Sequence, residues 1–231
     1  MKDTKKIILV AATEAFAELG YTAASVREIC GRVGASPNAI NYHFGSKAEL
    51  YREIVEGFAS EQLELAVRIL AAPPRSAEDF AVRFELFFAE LLDCYLDNRD
   101  TIRIIYREFE QLMPNDCYLD NRDTIRIIYR EFEQLMPNGT EGVAGRLARV
   151  NEVIATFVRQ ALETGVIAED VDPDIVAGLL LDRVSNQARF TDAHAMFFGV
   201  STLDKTYRKH WIQSTLRIVF HGICGPASPA A

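Results

Sequence analysis

Cysteine is scarce in this chain of 231 residues: there are four, and no pair forms a C-x-x-C. A disulfide framework and a thiolate metal site are both excluded on that count. Cys94 and Cys117 are one residue of a repeated segment, and Cys30 and Cys224 stand far apart, so all four read as buried or incidental thiols. His194, His210 and His221 show no metal-binding spacing with cysteines or carboxylates. No nucleophile stands beside a base, so neither a cofactor nor an enzymatic site is expected. Long apolar runs are missing too: no window reaches the ~18 residues of a membrane span. The first residues, MKDTKK, lack the apolar core of a secretion signal. A cytoplasmic protein without membrane contact is the expectation. No stretch alternates apolar and polar residues as a half-buried strand would, which predicts an all-α fold. Positive charge is also short, with 25 Lys and Arg against 33 Asp and Glu, net −8. That balance argues at first against nucleic acid, where neutralised phosphates supply most non-specific affinity.

The distribution of charge points the other way. Residues 1–52 hold seven basic residues against five acidic ones, net +2, and leave −10 on the rest. A mildly basic head precedes an acidic body. The body also contains a perfect repeat: DCYLDNRDTIRIIYREFEQLMPN at 93–115 recurs letter for letter at 116–138. Solenoids need at least three stacked units, usually diverged, so two identical copies do not make a repeat architecture.

Helical punctuation fills the chain. Ile8, Ala12, Ala15, Phe16 and Leu19 recur at helical spacing and stop at Gly20. Ser25-Val-Arg-Glu28 and Ser46-Lys-Ala-Glu49 are capping boxes, in which the serine caps an early amide and the glutamate reaches back to the serine N–H. Ser36-Pro37 starts another helix, with serine as cap and proline at the first helical position. A long helix runs to about Ala71, where Pro73-Pro74 breaks it, and Ser76 caps the next. Each copy of the repeat predicts a helix, Arg99–Met113 and Arg122–Met136. One unbroken helix is excluded, because 23 residues at 3.6 per turn leave a phase error of about 140°. Later helices are predicted at 143–164, 173–191 and 205–224, followed by the loose tail 225–231.

Residues 25–44 therefore read as helix, tight turn, helix, with Gly34 at the turn and Val26, Ile29, Val33 and Ile40 facing inward. The second helix offers Asn38 and Asn41, short polar groups able to read base edges. Tyr42, His43 and Lys47 suit phosphates, as do the amides near Ser36. The plainer reading is that any three short capped helices look like this, with Tyr42 and Phe44 in the core.

A family resemblance decides between them. The stretch Lys5–Leu50 resembles the N-terminal domain of the tetracycline-repressor-like (TetR) family of bacterial regulators. It carries A-x-x-x-F-A-E-x-G-Y at 12–21, S-V-R-E-I-C-G-R-V-G-A-S at 25–36 and N-Y-H-F-G-S-K-A-E-L at 41–50. The resemblance implies that Ser25 and Arg27 approach the DNA backbone and that the helix from Ser36 and Pro37 to His43 enters the major groove. It implies domains at 1–50 for DNA binding and 51–224 for ligand binding and dimerisation. The implied partners are a pseudo-palindromic double-stranded DNA operator, a second copy of the chain, and a small, partly apolar effector.

In such a body the last two helices form the dimer seam, for which Ile175, Leu179, Val184, Trp211, Thr215 and Ile218 are candidates. Phe84, Phe87, Phe88, Tyr95, Tyr106, Phe109 and Phe157 could line an apolar pocket, although an aromatic stripe at helical spacing is more often core. Arg183 and Asn186 put polarity on a late helix, as a ligand handle or as interface hydrogen bonds. The expected function is a ligand-responsive transcriptional regulator, a repressor by resemblance. The alternative keeps the fold with switching lost through the repeat, as a locked regulator or a dimeric interaction module.

Overall fold

The computed structural model describes residues 2–112, 143–167 and 171–221. These contain ten helices and no strand, so the described chain is all-α. In chain order they are α1 (Lys2–Ala23), α2 (Val26–Arg32), α3 (Asn38–Phe44), α4 (Lys47–Leu70) and α5 (Ala77–Asp97). Then follow α6 (Arg99–Leu112), α7 (Val143–Glu163), α8 (Pro173–Arg189), α9 (Thr191–Phe198) and α10 (Lys205–His221). No helix among the described residues is long and apolar enough to cross a membrane.

By contact the chain forms two compact units, one from Met1–Leu63 and Asn98–Arg149, the other from Glu64–Asp97 and Val150–Ala231. The boundary that the sequence suggests at residue 50 falls inside α4, whose pattern runs on unbroken. The second helix of the repeat, Arg122–Met136, and the tail 225–231 lie outside the described residues.

In the first unit, α1 packs against α2 and α6, and α2 against α3. Ile8, Ala12, Ala15, Phe16, Ile29, Ile40 and Leu50 are fully buried there. Gly20 breaks α1 with φ 82° and ψ 165°, a conformation that only glycine adopts freely. From α6, Ile102, Ile104 and Ile105 are buried with Thr101, and Asn98 donates to Glu61 Oε2 at 3.2 Å.

In the second unit, α5 packs against α8 and α10, and α8 against α9. Its core is aromatic: Phe80 stacks on Phe157 at 5.2 Å and 9°, Phe84 on Phe157 at 6.3 Å, and Phe88 on Trp211 at 5.6 Å and 7°. Arg83 lies over the Phe157 ring at 4.6 Å and donates to the carbonyls of Ile69 (2.9 Å), Ala72 (2.7 Å) and Pro73 (3.3 Å). It thereby satisfies acceptors left open where Pro73-Pro74 ends α4.

The sequence missed α9. It predicts one helix over 173–191, but Phe190 ends α8 and Thr191 starts another helix, closed by Gly199 at φ 66°. Thr191 is buried and its hydroxyl meets that of Thr202 at 2.6 Å, so a tertiary contact marks the break.

Candidate nucleic-acid interface

The helix-turn-helix is assembled from local signals. Ser25 Oγ accepts from the Glu28 amide at 3.1 Å and starts α2. The other half of the capping box is not made, since the Glu28 carboxylate takes Arg32 at 3.3 Å instead. Gly34, at φ 65°, turns the chain, and Ala35 N–H closes back onto Cys30 O at 2.9 Å. Helix α3 begins one residue later than predicted, at Asn38. The Ser36 hydroxyl makes no cap, and its backbone carbonyl takes the Ala39 amide at 2.9 Å. Ser46 Oγ caps α4 through the Glu49 amide at 3.1 Å.

The seven-residue α3 is sharply two-faced. Ile40 and Phe44 are buried, while Asn38, Asn41 and Tyr42 are exposed, Tyr42 at 71%. The plainer reading therefore holds for Phe44 and fails for Tyr42. Ser25, Arg27, Ser36 and Pro37 are also exposed, and His43 is half-buried, its ring 4.9 Å from that of Tyr42. The exposed side chains of α2 and α3 thus include two amides, a phenol and a guanidinium, a set of donors and acceptors suited to base edges and phosphates.

Lys47 has a partner within the chain. Its ammonium sits 4.5 Å above the Tyr21 ring and is half-buried, and burial pushes its pKa below the ordinary 10.5. Its first partner in the structure is an aromatic face. Burial likewise raises the Cys30 thiol above 9.0, so it stays protonated as packing between helices. Sequence reasoning overlooked Tyr21 and Lys5, whose ammonium lies 5.2 Å from the Phe44 ring and 2.9 Å from Glu53. Cation–ring contacts across elements leave no local signal.

Arg32 was also overlooked. It reaches Glu18 at 2.7 Å and so ties α2 to α1. That hydrogen bond holds the Glu18 carboxyl below its ordinary 4.5 and raises Arg32 above the ordinary guanidinium value. A carboxylate with a depressed folded pKa contributes stability above its unfolded pKa, and loses it as the pH falls through the folded value. Glu18→Gln should therefore lower the unfolding midpoint slightly at neutral pH, and the gap to the parent should close as the pH falls below the ordinary carboxylate range. Thermal unfolding followed across pH checks this; a gap independent of pH would mean the pair contributes no stability.

Residues 8–54 match the family described as bacterial regulatory proteins, tetR family. Over those residues the head is similar to the DNA-binding domains of that family. Most of its first helix, its turn and the two-faced α3 fall inside the match. The HTH-type transcriptional activator FasR of Mycolicibacterium smegmatis is 31% identical over 81 residues, 35% of this chain. The chain spans 37% of that relative's length. A transcriptional regulator of the TetR/AcrR family from Thermobifida fusca shares the fold at TM-score 0.56 and 22% identity, covering 96% of this chain and 98% of that one. The fatty acid degradation regulator FadR of Bacillus halodurans does so at TM-score 0.58 and 13% identity, covering 94% and 98%. At these identities the likeness is one of fold alone, and it covers the body as well as the head.

The residues expected to line a pocket fall in both units. Phe84, Phe87, Phe88 and Phe157 are fully buried and Tyr95 nearly so, stacked as core. Tyr106 is half-buried in the first unit, and the Phe109 side chain lies outside the described residues. Arg183 and Asn186 are exposed on α8, with the Arg183 guanidinium 4.6 Å over the Trp211 ring. The seam candidates split. Val184 and Trp211 are buried within their own subunit, at 0% and 5%, because α5 packs on both α8 and α10 and takes up those faces. Ile175, Leu179 and Ile218 are exposed at 60%, 60% and 54%, and Thr215 is half-buried. Among the described residues no group of His, Cys, Asp and Glu could hold a metal.

Proposed function

We propose that this chain is a ligand-responsive repressor that binds a pseudo-palindromic operator as a homodimer. The outward face of α3, with Asn38, Asn41 and Tyr42 exposed above the buried Ile40 and Phe44, carries the reading. Two such heads one helical turn apart, about 34 Å, fit successive major grooves.

Dimerisation is supported by apolar side chains left in water. Ile175 and Leu179 lie one turn apart on α8, and Ile218 lies on α10. Between those helices α9 ends in Met196, Phe197 and Phe198, exposed at 80%, 71% and 72%. Large apolar side chains exposed in such number on neighbouring elements of the sequence are a mark of an interaction surface.

A small effector is supported by unmet hydrogen-bonding groups in the second unit. Trp211 Nε1 and Gln160 Oε1 are buried without a partner. A buried donor left unsatisfied costs about 1–3 kcal/mol, which an oxygen-bearing, partly apolar ligand would recover. Trp211 is the single tryptophan of the chain, so quenching of its fluorescence reports such binding. Binding must differ between two conformations if it is to release DNA.

Mobility shifts over a range of salt test the head. Arg27→Ala should weaken binding to all sequences alike and lower the salt slope by about one. Asn38→Ala and Asn41→Ala should relax operator preference, each direct base contact being worth roughly 1–3 kcal/mol of discrimination. Unchanged sequence selection in both asparagine variants would move the readout elsewhere. A promoter reporter that falls when the gene is deleted would make the chain an activator, as its relative FasR is named. Effector binding without DNA release would support the locked regulator, with the repeat having uncoupled the two.

A further inference from the structure

Three basic side chains of the head are neutralised within the chain. Lys5 pairs with Glu53 at 2.9 Å, Arg32 with Glu18 at 2.7 Å, and Arg52 with Glu49. Lys47 is held in another way. Its ammonium lies 4.5 Å from the centroid of the Tyr21 ring, and among the described residues it has no carboxylate partner. An aromatic face attracts a cation through its quadrupole and carries no charge of its own. The ammonium is therefore fixed with its charge intact and with N–H donors left for an oxygen acceptor. A carboxylate in the same place would have cancelled that charge.

The ring that holds it is itself held. Gly20, at φ 82°, kinks α1 just before Tyr21. The half-buried Tyr21 ring leans on Phe16 at 5.9 Å and meets Tyr51 edge-on at 5.1 Å and 71°. Phe16 and Tyr51 are 0% and 4% exposed, so both rings behind it are fixed in the core. Lys47, for its part, is the first residue of α4, close behind the end of α3 at Phe44. A cation there opposes the helix dipole, so helix stability does not account for its place. We propose, on the reading of the head as a DNA-binding domain, that Tyr21 is a positioning residue: its ring presets the Lys47 ammonium for a phosphate of the DNA backbone. A lysine free to swing loses rotamer freedom when it meets a phosphate, whereas one already held has lost it on folding. The ring lowers the cost of the contact without touching DNA.

A phosphate contact does not depend on base sequence, so a DNA duplex of mixed sequence serves as the probe, titrated with the full-length chain over a range of salt. Lys47→Ala should weaken binding and lower the salt slope by about one. Tyr21→Leu removes the ring and keeps an apolar side chain. It should cost about two- to tenfold in affinity, the usual scale for immobilising one long side chain. The same change made in the Lys47→Ala background should cost nothing further. Tyr21→Phe, which keeps the aromatic face, should retain most of the binding. Thermal unfolding shows which variants are folded, and Tyr21→Met, equally free of a ring, stands in where Tyr21→Leu is not. An equal loss from Tyr21→Leu with and without Lys47 would overturn the proposal, because the ring would then act only through the fold. Undiminished binding in Tyr21→Leu would overturn it as well. A parent chain with no salt-dependent affinity for the duplex would bring down the DNA-binding reading itself, an outcome seen before any substitution is made.

Discussion

Replacing Leu179 by aspartate is expected to leave a folded monomer that has lost operator DNA. Leu179 is 60% exposed in the single subunit, one turn from the equally exposed Ile175. Its substitution removes little packing within the chain, so helical content should be kept and stability should stay within roughly 1 kcal/mol of the parent. Across a two-fold seam the same residue would be dry, and the aspartate would be a buried charge without a partner. Such a charge costs about 3–5 kcal/mol, or roughly a hundred- to several-thousand-fold in the dimer constant. Operator affinity falls with it, because a single head lacks the second half-site contact. Sedimentation velocity and mobility shifts on the same sample check both statements. A Leu179→Asp protein that remains dimeric with the parent's affinity would remove α8 from the seam. Trp211→Asp tests a different thing. Trp211 stacks on Phe88 inside its own subunit, and a charge there should unfold the second unit before dimerisation is reached.

The other large effect concerns stability. Phe157→Ala should destabilise the chain by about 3–5 kcal/mol, the usual range for emptying a fully buried aromatic site. Phe157 has no exposed surface, and it meets Phe80 and Phe84 ring on ring and the Arg83 guanidinium at 4.6 Å. Removing it also leaves Arg83 without the face that holds it over the end of α4. For a chain of this size each kcal/mol shifts the midpoint by roughly 2–4 °C, so a fall of about 6–20 °C is expected in calorimetry. A shift below about 3 °C would mean the space around Phe157 collapses or is occupied, as a ligand cavity would be.

How much of this was legible beforehand depended on how local the cause was. The helix-turn-helix could be read in advance because its determinants lie within a few residues of one another. Ser25 and Ser46 cap through amides three residues on, Gly34 turns the chain by its own φ, and Ile40 and Phe44 repeat at helical spacing. The exposed set on α3 followed from that spacing alone. Failures came where two elements compete for one side chain. Glu28 abandoned its capping box for Arg32, since a charged group takes whichever partner the folded chain brings closest.

The sequence by itself determined an all-α chain, the positions of most helix ends, and a head whose outward residues suit DNA. Those properties rest on capping, turn chemistry and periodicity, all short-range. Only the tertiary structure decided which apolar faces are inside. Phe84, Phe157, Val184 and Trp211 went to the core of the second unit, and Leu179 and Ile175 were left in water. Periodicity marks an apolar face without saying what covers it. Tertiary packing also placed α6 with the head instead of the body, because its buried isoleucines pack on α1. A local pattern cannot show that allegiance, since it depends on a partner some ninety residues away in the chain.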